Sequence, residues 1–199
     1  MEKAIFAPAK INLALEIIGR YPDGYHEIDS IMASVSLGDW LYFSEAESYR
    51  LIYDSPVNID PGENLITRAV KYLAAQTGCL IPVQIRLKKN IPIAAGLAGG
   101  STDAAAALHG INQWLKLGLS LHELQEIGTA IGSDIPFCLQ GGFCRVRGRG
   151  EQIESIPAGQ EIWMLIITPP LVVSTALIYR TFDCLPKAVH YSFCNEVAE

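Results

Sequence analysis

The chain opens on a long run, Ile5 to Ile18, in which an apolar pattern is interrupted only by Lys10, Asn12 and Glu16. Such a run predicts a strand, and Tyr21-Pro22-Asp23-Gly24-Tyr25 then carries the composition of a turn. Ser30 to Phe43, rich in Ile, Val, Trp and Tyr, predicts one or two further strands. Between Asn64 and Gln76 the period lengthens: Leu65, Ala69 and Leu73 share a helical stripe with Ile66 and Val70, and Gly78 follows as a C-terminal cap. Val83, Ile85 and Leu87 alternate with Gln84 and Arg86, the pattern of a strand with one wet face. A glycine- and alanine-rich loop from Ile91 to Asp103 leads into an alanine-rich helix running to about Leu115. Ser120-Leu-His-Glu123 is a capping box, opening a helix expected to end near Gly132. Phe137–Val146 and Ile162–Thr168 complete the set as strands, the second expected to be buried. Strands and helices alternate without a regular βαβ beat, so the class expected is α+β.

Composition narrows this picture. At 199 residues, half of them apolar and 18% charged, the chain can bury one sizeable core and a second, smaller lobe. Its net charge of −6 argues against sequence-independent binding to nucleic acid, though backbone amides and a lysine or two can still hold a phosphorylated metabolite. The five cysteines form no C-x-x-C pair, which suits reduced thiols better than disulfides or zinc. His122-Glu123 starts like a zinc-protease motif, but Glu126 stands where the second histidine belongs, and no metal site is expected from the sequence. Charges at Glu2, Lys3, Lys10 and Glu16 break any leader-like apolar core, and Pro169-Pro170 breaks the longest apolar stretch. The expectation is a cytoplasmic protein with no membrane partner.

Four segments carry candidate chemistry. Gly96 to Asp103 places glycines directly before a helix start, where unpaired N–H groups and the helix dipole favour an anion, with Ser101 and Thr102 as hydroxyl donors. The segment lacks the signatures of a P-loop or a Rossmann turn; its alternative reading is a plain helix cap. Lys10, in an apolar strand, either snorkels to the surface or meets an anion. Asp134 is either a turn residue or a carboxylate that orients or deprotonates a hydroxyl nucleophile. Tyr25 and His26 are either surface turn residues or a stacking ring beside a hydrogen-bonding imidazole.

In chain order, the segments Ala7-Pro-Ala-Lys-Ile-Asn-Leu13, Arg20-Tyr-Pro-Asp-Gly-Tyr-His26, Asn90 through Ala104 and Gly132-Ser-Asp-Ile-Pro-Phe137 closely resemble the GHMP kinase superfamily. Within it they resemble the member that acts on a cytidine-diphosphate-linked sugar alcohol, over essentially residues 4 to 180. The resemblance implies a GHMP kinase N-terminal, ATP-binding domain over residues 1–155 and the beginning of a truncated C-terminal domain over 156–199. It implies ATP, with Mg2+ expected from kinase chemistry, held by Ala94, Ala95, Gly96, Leu97, Ala98, Gly99, Gly100, Ser101, Thr102 and Asp103. Asn64 matches a position that contacts adenine, and Lys89 is a further nucleotide contact. Lys10 and Asp134 match the catalytic pair and Asn12 a residue that positions the acceptor. Tyr25 and His26 would hold cytosine, with Tyr179 on its other face. The family continues into a fuller C-terminal domain with a third glycine-rich motif that this sequence does not reach, so little kinase activity is expected of the 199 residues alone. Two alternatives stand beside this reading: a kinase for another small alcohol, and a truncated homologue that binds nucleotide without turnover.

Overall fold

The computed structural model describes residues 2–54, 64–157, 159, 161–169, 174–185 and 194. Two long strands, β1 (Lys3–Arg20) and β2 (His26–Glu45), form an antiparallel pair joined by the 21–25 turn. The second edge of β2 is shared end to end. Its first half pairs with β5 (Phe143–Gly148) and its second half with β4 (Val83–Lys88), both antiparallel. The short strands β3 (Arg50–Tyr53), parallel to β4, and β6 (Gln152–Ser155), antiparallel to β5, complete a six-stranded sheet. The α+β class expected from the sequence is the one observed.

Helices α1 (Leu65–Thr77), α2 (Gly99–Trp114), α3 (Leu121–Thr129) and α4 (Ile135–Gln140) contribute to the main apolar core with β2 and β4. Ala104 to Ala107 and Leu108 are all buried, so α2 approaches the sheet with side chains short enough to bring its axis close. Gly110 marks the tightest point: a β-carbon there would stand 2.2 Å from Phe43 Cζ. The capping box at Ser120 and Glu123 forms as the sequence predicts, and Asn64 and Gly78 cap the two ends of α1.

Two expected strands are corrected. Phe137 to Gln140 belongs to α4, and the strand begins only at Phe143, after Gly141 and Gly142 turn the chain with positive φ. Proline near the start of α4 fits a first helical turn, where its missing N–H costs nothing. Residues 161–169 form no regular element, and Trp163 is 99% exposed where a buried strand was expected. A further helix, α5 (Thr175–Asp183), follows. Among the described residues no helix is long and apolar enough to cross a membrane.

Candidate nucleotide and acceptor site

The register of β1 against β2 shifts between Pro8 and Lys10 and again between Asn12 and Ala14. Bulges of this kind re-aim side chains, and Lys10 is consequently buried, at 8% exposure, where the surface reading would have had it snorkel. Lys10 Nζ donates to Asn12 Oδ1 at 2.7 Å, and Asn12 Nδ2 in turn donates to Ser30 Oγ at 2.7 Å. Lys10 Nζ also stands 3.9 Å from Asp134 Oδ2. Asp134 occupies the N-cap of α4 but makes no capping bond with its side chain, which is 37% exposed and open to the cavity. The lysine, the asparagine and the aspartate are thus one cluster.

The glycine-rich loop meets this cluster through its backbone. Every second residue from Ala94 to Ala98 has positive φ, including the two alanines, at 57° and 56°. Left-handed alanine costs about 1–2 kcal/mol, a strain held by the loop's anchoring to β1. Lys10 N donates to Leu97 O at 3.2 Å, and Thr102 Oγ donates to Pro8 O at 2.7 Å. The N-terminus of the 16-residue α2 receives no side-chain cap, and Gly96 through Ser101 line a cavity of about 860 Å³ together with Lys10, Asn64, Lys89 and Asp134. Free helix amides opening into a cavity make an anion site. Thr102 is spent on Pro8 and fully buried, so Ser101 is the hydroxyl that faces the cavity.

Beneath the loop lies a group of charges that the sequence reading only half identified. Lys89 Nζ bonds Asp103 Oδ2 at 2.7 Å and also Asp39, which is fully buried and accepts from the amides of Asn90 and Ile91. Asp39 is not among the residues that the sequence motifs single out, and its one signal there is that of a lone acid between Gly38 and Trp40 in an apolar strand. Two carboxylates share one ammonium. Burial pulls the Lys89 pKa down, but Asp103 and Asp39 outweigh it and the net shift is upward. Burial pushes Asp103 up to about 7 against the pull of Lys89, with Asp39 adding to the rise. Asp103 Oδ1 is buried without a hydrogen bond. Asn64 lines the same cavity, yet its amide is occupied locally: Oδ1 caps Ile66 N and Nδ2 donates to the Tyr53 hydroxyl, both at 2.7 Å.

A second cavity, of about 560 Å³, is walled by Tyr25, His26, Arg149 and Tyr179 and meets the first at Ser101, Asp134, Thr175 and Tyr179. The His26 side chain is buried rather than surface-exposed: Nε2 lies 2.7 Å from Asp183 Oδ1, and its ring stacks on Tyr179 with centroids 4.6 Å apart. A base inserted between two rings needs them about 7 Å apart, so no slot exists between His26 and Tyr179. Tyr25, 57% exposed, is the ring whose surface is open. The bond to His26 draws Asp183 below its ordinary carboxylate value, and Arg20, 3.3 Å away, adds to this.

Residues 64–142 match the family model described as the GHMP kinases N terminal domain. Its fold is that of the GHMP kinase N-terminal domain. A 4-diphosphocytidyl-2-C-methyl-D-erythritol kinase of Bacillus pumilus is 44% identical over 179 residues, covering 89% of this chain and 62% of the relative. The kinase of that name from Carboxydothermus hydrogenoformans is 46% identical over 176 residues, 88% of this chain and 61% of the relative. A crystal structure of 4-(cytidine 5'-diphospho)-2C-methyl-D-erythritol kinase superposes with a TM-score of 0.68 at 34% identity, over 90% of this chain and 63% of that one. The chain therefore spans a little over three fifths of the length of these GHMP-fold kinases.

Proposed function

We propose that this chain forms the nucleotide- and acceptor-binding part of an ATP-dependent kinase for the 2-hydroxyl of 4-diphosphocytidyl-2-C-methyl-D-erythritol, giving the 2-phosphate. One observation carries the reading: two cavities, one lined by a helix N-terminus and one by aromatic rings, meet at Asp134 with Lys10 3.9 Å away. Phosphoryl transfer requires a donor and an acceptor held in line with little covalent help from the protein. The names of the relatives at 44% and 46% identity supply the acceptor.

In this reading the α2 amides and Ser101 hold the ATP phosphates, and Asn64 and Lys89 border the adenosine end. The acceptor oxygen forms a bond to the γ-phosphorus as the bond to the ADP oxygen breaks, and the hydroxyl proton passes to Asp134. Lys10, fixed by Asn12, offsets charge on the group in transit. Tyr25 supplies the stacking face for cytosine, and His26, with Nε2 taken by Asp183, offers the base its other ring nitrogen. Tyr179 closes the junction of the two cavities. No three acid, histidine or cysteine side chains among the described residues form a metal group. Magnesium, which would neutralise phosphate charge, needs only one or two protein oxygens beside the phosphates; the Ser101 hydroxyl, which lines both cavities, is of that type. In the same reading residues 1–155 are the ATP-binding domain and 156–199 the start of the next. Such chemistry draws on the cytoplasmic ATP pool, and the reading places the protein there.

The test is ADP release, measured by a coupled assay with and without the cytidine-linked acceptor, on the chain extended with a relative's C-terminal lobe, because little turnover is expected of the 199 residues alone. Lys10→Ala and Asp134→Ala are each expected to lower acceptor-dependent release by roughly 10²–10⁴. Acceptor-dependent rates unchanged in both variants would remove the pair from the chemistry. ATP binding with no acceptor-dependent release from the extended wild-type chain would overturn the kinase reading in favour of nucleotide binding without turnover.

A further inference from the structure

The β5–β6 hairpin lies outside the segments singled out in the sequence, yet its tip walls the acceptor cavity. Gly148 and Gly150 have positive φ, and between them Arg149 reaches across to the 21–25 turn. Arg149 Nη1 is 2.7 Å from Asp23 Oδ2. Its guanidinium carbon lies 4.5 Å from the Tyr21 ring centroid and 5.2 Å from that of Tyr25. Asp23 also accepts from the Tyr25 amide at 3.2 Å. Tyr25 is therefore held twice, by its backbone through Asp23 and by its ring through Arg149. The same tip presses on the reacting end of the cavity: a β-carbon on Gly150 would stand 2.6 Å from the carbonyl oxygen of Ser133, the neighbour of Asp134. One hairpin thus touches both the stacking ring and the segment that carries the carboxylate.

We propose that Arg149 is a positioning residue that sets specificity for an acceptor bearing a pyrimidine base and a diphosphate. The inference rests on the acceptor reading above. A guanidinium against one face of a tyrosine ring restrains its rotamer and leaves the opposite face for a base. The ion pair with Asp23 cancels a negative charge on a wall that faces a doubly anionic ligand. Arg20, another cation lining the cavity, is paired with Asp183. Without Arg149 an exposed ring loses its restraint and Asp23 confronts the diphosphate unpaired. A small acceptor that carries no base gains nothing from the arrangement, and this is how the residue discriminates.

The test is calorimetric titration of CDP into the 199-residue chain, its nucleotide site saturated with a non-hydrolysable ATP analogue. Wild type, Arg149→Met, Arg149→Lys and Tyr25→Ala are compared. Arg149→Met is expected to weaken CDP roughly 3- to 30-fold, from the lost ring contact and the unpaired Asp23. Arg149→Lys, which keeps the charge beside Asp23, should recover part of that loss. Affinity for the ATP analogue, titrated separately, should stay within about two-fold, which also establishes that the hairpin is folded. CDP affinity intact in Arg149→Met but lost in Tyr25→Ala would overturn the role of Arg149 and leave the acceptor reading standing. Parallel loss of ATP-analogue and CDP binding would overturn it too, because the hairpin would then be a structural prop. Wild-type chain that does not bind CDP at all would remove the acceptor reading, and Arg149's role with it.

Discussion

Asp103→Asn is the substitution whose consequence follows most directly from the structure. Asp103 sits in the first turn of α2, 3% exposed, with Oδ2 on Lys89 and Oδ1 unpartnered. Its carboxyl is raised from an ordinary value of 3.8 to about 7, chiefly by burial. A carboxyl with a raised folded-state pKa binds protons more tightly in the native state than in the unfolded one. Its contribution to stability is therefore fully present below about pH 4 and is lost as pH rises towards 7. A shift of about three pH units at about 1.4 kcal/mol each caps the loss near 4 kcal/mol. The pull of Lys89 is already counted in that value, and Asp39, a second carboxylate beside the first, works against it.

Asparagine retains an oxygen for Lys89 and does not titrate. The wild type should lose stability from pH 5 to pH 8 relative to Asp103→Asn, so the variant's advantage in Tm, or its smallest deficit, should fall at pH 8. At about 2–4 °C per kcal/mol for a chain of this size, the relative change should reach several degrees. Thermal melts at pH 5, 6, 7 and 8 at fixed ionic strength measure it. A Tm difference that is constant across these pH values, or that moves in favour of the wild type as pH rises, would refute a carboxyl titrating near neutrality in the folded protein.

Two further outcomes are expected. Gly110→Ala places a β-carbon 2.2 Å from Phe43 Cζ in the core; the strain of overpacking, about 1–3 kcal/mol, should exceed the helix-propensity gain of nearly 1 kcal/mol and lower Tm by a few degrees, read by calorimetry. Ser101→Ala and Thr102→Val should separate ligand contact from scaffold, although the residues are adjacent. The first should weaken ATP binding at unchanged Tm, whereas the second, which removes the donor to Pro8 O, should cost about 1–3 kcal/mol of stability.

Periodicity made the long elements legible: α1, α2 and β4 lie close to where the stripe of Leu65, Ala69 and Leu73, the alanine run and the alternation from Val83 put them. Four-residue strands fail that reading, since β3 and β6 are too short to show a period and exist only through partners distant in the chain or across a hairpin. Phe137–Gln140 reads as strand in the sequence and folds as helix, because a short apolar run has the same composition in a buried helix as in a buried strand. Single residues of the candidate site were visible as anomalies, Lys10 in an apolar strand and glycines ahead of a helix. Their convergence was not, for the bond from Thr102 to Pro8 crosses 94 positions of sequence. Asp39 shows in sequence only as a lone acid in an apolar strand, and Arg149 not at all, because each matters through what it faces.

Charge accounting within the cavities then constrains how an acidic chain would hold the two anionic ligands proposed for it. Lys89, the cation nearest the loop, has two of its three protons committed to Asp39 and Asp103. It therefore acts first as an internal counterion that ties strand β2, the start of the loop and the first turn of α2 together, and has little charge left to give a phosphate. Arg20 and Arg149 are likewise paired, with Asp183 and Asp23. In the loop cavity, what remains for the transferring group is the N-terminus of α2, whose amides carry a partial charge that needs no counterion, together with Lys10, whose nearest carboxylate is the proposed proton acceptor itself. Protonation of Asp134 during transfer would release Lys10 from that partner as negative charge builds on the phosphoryl oxygens, so the cation becomes most available at the moment it is most needed. At 3.9 Å the pair is close enough to couple electrostatically and too long for a hydrogen bond that would hold Lys10 back.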